Sequence, residues 1–193
     1  MAFLGLLARL FGVLLVGVLG PLSWWWLNIT RHDAIVIGPW RGSLAAGAAQ
    51  ADMHTRTYVA ITGLLALNRS ETLYFNADHD DDGRRLASEC AYDIVGGDLP
   101  ARWWSITAYA GDHYLIPNPL NRYAYNMTSL RRDGEGRFTI AVGPKERSGD
   151  WLPSGEPGKG LSFLIRLYNP PQEVAANPAT IRLPSIRRVG SCP

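Results

Sequence analysis

The chain has 193 residues, 47% of them hydrophobic, and a formal net charge of +2. That length allows one domain of ordinary size plus additional segments. The charge is too small and too scattered for a nucleic-acid surface: all but two of the 19 basic residues are arginine, and they gather only in pairs such as Arg131-Arg132 and Arg187-Arg188.

Residues 10–27, LFGVLLVGVLGPLSWWWL, run for 18 positions without a charge. About 20 apolar residues cross a bilayer core as a helix. Counted from Ala2, only Arg9 interrupts, and a long Arg near a helix end can snorkel to the headgroups. Trp24, Trp25 and Trp26 suit an interfacial aromatic belt. A cleaved signal peptide is the competing reading, but bulky Trp stands where cleavage wants small residues. Residues 1–27 are therefore expected to be an uncleaved, single-pass transmembrane anchor in the inner membrane. Arg9 before the span and Arg31 and Arg41 after it leave its orientation open.

Residues 28–42 carry Gly38, Pro39 and Gly42 and read as a linker with one short extended piece, AIVI. Ser43 can cap a helix over 44–68, where Ala46, Ala49, Met53, Ala60, Leu64 and Leu67 recur near helical spacing. Val59 and Leu65 fall off that stripe, so apolar surface is left for a second packing partner. Beyond Asn68 the period changes to two. Leu73 and Phe75 alternate with Thr72, Tyr74 and Asn76; Trp104, Ile106 and Ala108 alternate with Trp103, Ser105, Thr107 and Tyr109; Phe163, Ile165 and Leu167 share one face of LSFLIRLY. Similar alternation runs through 86–95 and 137–142, with turn signals such as Asp82-Gly83, Gly96-Gly97 and Asp133-Gly134 between the runs. The expected fold class is mainly β, an antiparallel β-sandwich or jelly-roll-like domain over 43–193 with a leading amphipathic helix. The Pro-punctuated tail from Asn177 can add only an edge strand.

Five motifs in fixed order give a more specific resemblance. They are RTYVAITGLLALNRSETLYFNADHDDDGRRL, ARWWSITAYAGDHYLIPNPLNRYAYN, DGEGRFTIAV, DWLP and LIRLYNP. Over about residues 52–189 the chain resembles the bacterial family called domain of unknown function 1214. The resemblance implies a mostly β fold. It also implies that a companion domain, domain of unknown function 1254, usually precedes this one in a longer chain; here an apolar segment stands in that place. It implies no reaction.

DHDDDGRRLASE, residues 78–89, satisfies the spacing of a calcium loop, with Asp78, Asp80, Asp82 and Glu89 as candidate ligands. The strand patterns on both sides favour an acidic hairpin loop instead. No G-x-S-x-G or zinc spacing occurs, and no cofactor is expected. The dense stretch 103–123 supplies the remaining candidates. Tyr109, Asn118, Asn121, Arg122 and Tyr123, with Trp151 and Arg166, could gather at the rim of a sandwich and clamp a carboxylate, phosphate or sugar. They include no general base, which points to binding over turnover; a structural brace is the competing reading. The only cysteines, Cys90 and Cys192, can bridge in an oxidising compartment or remain two unrelated thiols. A bridge would place the globular part in the periplasm. Two functions follow: a membrane-anchored envelope module for binding or assembly with a companion chain, or a small-molecule enzyme whose site a partner completes.

Overall fold

The computed structural model describes residues 2–29, 34–61 and 65–192. It divides into two units, 1–33 and 34–193. In the first, α1 (Ala2–Ile29) is a 28-residue helix containing Pro21. Its longest run of described side chains is 11–23. Among the described residues no helix is long and apolar enough to cross a membrane, so the anchor expected over 1–27 is not carried by them. The side chains of Trp24 and Trp26, residues Arg31 and His32, and Leu64 lie outside the described residues.

Residues 34–42 are not a linker. They form a hairpin of β1 (Ala34–Ile37) and β2 (Trp40–Ser43), turned at Gly38 with φ of 56°. Trp40 is fully buried and donates its Nε1–H to the Pro184 carbonyl at 2.6 Å. Gly42 is required on β2, because a Cβ there would come within 2.9 Å of the Phe75 ring.

The leading helix is also shorter than its apolar spacing suggests. It is α2, Met53–Ile61, and residues 44–52 run as turns and bends. Asp52, not Ser43, caps it, accepting the Thr55 N–H at 2.7 Å. Gly47 explains the early break: its φ is +74°, and any Cβ would stand 2.0 Å from the Leu67 carbonyl oxygen. The chain passes too close to itself for a regular helix.

Six strands form the larger sheet, in the order β1, β2, β3 (Thr72–Ala77), β9 (Leu161–Tyr168), β5 (Trp103–Ala110) and β6 (Ala124–Asn126). The smaller sheet runs β10 (Ser185–Val189), β4 (Ala91–Gly96), β7 (Phe138–Gly143) and β8 (Asp150–Pro153). All pairings are antiparallel except β7 with β8, which is parallel. The tail contributes β10, an edge strand, after a short helix, α3 (Gln172–Ala176).

Alternation fills the core from both sheets. Phe75, Trp104, Ile106, Phe163 and Ile165 come from the larger; Tyr92, Ile94, Phe138, Ile140 and Ile186 come from the smaller. Trp104 stacks on Phe138 with ring centroids 5.3 Å apart, and Tyr92 meets Phe163 edge-on at 6.5 Å.

Cys90 and Cys192 form a disulfide with Cα atoms 4.9 Å apart, 102 residues apart in sequence. Closing so long a loop restrains the unfolded chain, worth up to about 4–5 kcal/mol on the chain-entropy account. Replacing both cysteines by serine should lower the denaturation midpoint markedly, and reductant should then have no further effect. Equal midpoints for the oxidised protein and the double variant would show that the bridge adds no stability.

Candidate functional site

The stretch after β5 is held by its own side chains. The Asn118 amide donates to the carbonyls of Ile116 and Arg122, both at 3.0 Å, and its Oδ1 accepts the Arg122 N–H at 3.1 Å. Asn121 takes the left-handed φ of 49°, which asparagine tolerates better than most residues. Its Oδ1 accepts the Tyr123 hydroxyl at 3.2 Å. Arg122 donates Nη1 to the Trp151 carbonyl at 3.3 Å and lies 5.9 Å from the Tyr125 ring centroid. Tyr125 in turn accepts the Trp151 N–H at 3.0 Å. Asn118, Asn121, Arg122 and Tyr123 therefore fasten the loop and join it to β8.

Trp151 is 8% exposed, and its Nε1–H has no hydrogen-bond partner among the described residues. It and Asn118 help to line an open cleft of about 380 Å³ walled by Pro117, Pro119, Pro144 and Pro153. That volume lies near the lower end of the small-ligand range of about 300–1,000 Å³.

Tyr109 and Arg166 are elsewhere, on the face of the larger sheet turned away from the core. Arg166 donates Nη2 to the Tyr109 hydroxyl at 2.7 Å and Nη1 to Thr107 Oγ1 at 3.2 Å, with its guanidinium carbon 5.8 Å from the Tyr109 ring centroid. The seven candidates thus separate into two groups that no hydrogen bond or ring contact joins. Thr107 belongs with the second group. Its signal was in the sequence, since it shares a strand face with Tyr109.

The calcium candidates do not converge. Asp80, 2% exposed, accepts the N–H groups of Asp82 and Arg84 on Oδ1. Its Oδ2 meets Arg84 Nε at 3.3 Å and Arg188 Nε at 3.4 Å; the latter lacks hydrogen-bond geometry and is an ion pair only. Asp78 pairs with His79, and Asp82 with Arg84. Glu89 turns away to accept the Gly158 N–H at 3.2 Å. Among the described residues no group of three His, Cys, Asp or Glu could hold a metal ion. The loop is a brace: Asp81 exchanges two hydrogen bonds with the backbone of Ile186 on β10.

Glu89 carries a consequence for pH. Its own backbone N–H, and then that of Gly158, hold its carboxyl below the usual range. A depressed carboxyl stabilises the fold above its unfolded pKa, and that contribution disappears as pH falls through the lower folded value. Glu89→Gln should therefore lower stability at neutral pH and shrink the loss on acidification. A stability-versus-pH curve parallel to that of the unaltered protein would contradict this.

These features define a two-sheet β-sandwich with a braced proline-rich loop and an arginine-bearing outer sheet face. The chain belongs to the family described as protein of unknown function DUF1214, whose model matches residues 71–172. Among solved structures it is similar to the VPA0106 protein of Vibrio parahaemolyticus, at 24% identity and a TM-score of 0.59, over 75% of this chain and 36% of that one. It is also similar to an uncharacterised protein of Burkholderia cenocepacia, at 17% identity and a TM-score of 0.42, over 64% and 31% of the two chains. The first likeness supports the fold alone. This chain spans about a third of the length of either structure. No curated protein matches it.

Proposed function

We propose that this protein is a membrane-anchored, envelope-facing binding or assembly module that works as one part of a two-chain complex. The observation that carries the reading is apolar surface left open around α2. Met53 is 76% exposed, Leu65 92% and Leu67 45%. The Tyr74 hydroxyl fixes this segment, accepting the Leu67 N–H at 3.0 Å and donating to the Leu65 carbonyl at 3.3 Å. A tethered pair of leucines facing solvent fits an interface better than a folded core. The occupant we assign is a separate companion chain; the similar Vibrio parahaemolyticus structure extends well beyond the 36% of it that this chain matches.

Two further features support the placement. Residues 10–27 run for 18 positions without a charge, close to the about 20 apolar residues that cross a bilayer core. The Cys90–Cys192 disulfide suits an oxidising compartment such as the periplasm.

Mild detergent extraction from the native membrane, followed by sizing and mass identification, should recover a hetero-complex. Leu65→Glu should abolish that complex while leaving the thermal midpoint within a few degrees. A monodisperse monomer that stays so when the companion is supplied would refute the reading; equal damage to fold and complex would return Leu65 to the core.

A further inference from the structure

Four arginines are half-buried among the described residues: Arg122, Arg147, Arg166 and Arg188. Two have carboxylate partners, Arg147 with Asp93 at 2.7 Å and Arg188 with Asp80 at 3.4 Å. Arg122 is committed to the Trp151 carbonyl and the Tyr125 ring. Arg166 alone of the four sits in the middle of a sheet face among neutral hydroxyl groups. Across the ladder it faces Tyr74 on β3 and Ser105 on β5. The four strands around it, β3, β9, β5 and β6, contain no Asp or Glu at all. Among the described residues the partners of its guanidinium are neutral: the Thr107 and Tyr109 hydroxyls and the Tyr109 ring.

The hydroxyl groups add direction. Tyr109 and Thr107 each accept a hydrogen bond from the guanidinium, so each keeps its own O–H hydrogen. Neither donates that hydrogen to another described residue. Thr72 Oγ1, buried and without a hydrogen-bond partner among the described residues, lies on the same face, opposite Tyr168 and one row from Arg166. A cation, two hydroxyl groups with hydrogens left to donate and no acidic competitor among the described residues of the surrounding strands are the elements of an oxyanion site. We propose that Arg166, with Thr107 and Tyr109, binds a small oxyanion, either a carboxylate or a phosphate. The site needs no companion chain and stands whether or not the two-chain reading holds.

The test uses the full chain in detergent without any companion, with thermal midpoints read against inorganic phosphate and against glutarate at constant ionic strength set with chloride. At least one anion should raise the midpoint saturably. Phosphate alone would assign a phosphoryl ligand, and glutarate alone a carboxylate. Arg166→Met should remove the effect, and Arg166→Lys should weaken binding about tenfold by losing the planar fork. Tyr109→Phe, which removes one hydroxyl and leaves the ring, should weaken it several-fold. Arg41→Met, at an exposed position, should change nothing. No saturable shift beyond chloride with either anion would overturn the proposal. So would retention of the effect in Arg166→Met, or, if that variant does not fold, unchanged binding in Tyr109→Phe.

Discussion

The sandwich depends on β9 being paired along both edges. Its eight residues run antiparallel to β3 on one side and to all of β5 on the other. A strand so enclosed satisfies its backbone in the two ladders and sends alternate side chains to opposite faces. Three rows cross the joint: Leu73, Leu167 and Trp104; Phe75, Ile165 and Ile106; Ala77, Phe163 and Ala108. All nine side chains are buried. The same alternation forces Arg166 outward, flanked by Leu164 and Tyr168. Core and candidate anion site are two faces of one register, and a one-residue slip would exchange them.

The smaller sheet packs on this joint through Tyr92, Ile94, Phe138 and Ile140, and its edges are fastened by further devices. The acidic loop 78–86 closes on Asp80 and is pinned to β10 through Asp81. The disulfide ties the end of the chain to the segment before β4. Tyr125 and Arg122 fasten the loop after β5 to β8. Residues that look chemical in the sequence, a run of acids and an Asn-Arg-Tyr cluster, are spent on fastening these edges. The remaining candidates lie on the outer face of the larger sheet and around α2.

The long strands were legible because seven or eight alternating residues outweigh local noise, as in 103–109 and 161–168. The mainly β class followed from them. Of the β1–β2 hairpin only the extended piece AIVI was legible: Gly38, Pro39 and Gly42 look like a linker, yet Gly38 makes the turn and Gly42 makes room for Phe75. β8 is four residues long and parallel to its neighbour, a pairing that no local pattern announces. The helix over 44–68 was overextended because Ala-rich spacing is helical in isolation, while contact between Gly47 and Leu67 is a tertiary fact. The candidate site was read as one cluster because Asn118, Arg122 and Tyr123 are close in sequence to Tyr109. Register separates them: Tyr109 belongs with Arg166, 57 residues away along the chain.

Native-state hydrogen exchange followed residue by residue tests the organising role of β9 most directly. Amides of Ile165 and Leu167 should exchange only through global unfolding, among the slowest in the protein, while those of α2 exchange by local opening with far lower protection. If the β9 amides exchange as fast as those of α2, the larger sheet is not built on that strand and the account given for Arg166 loses its foundation.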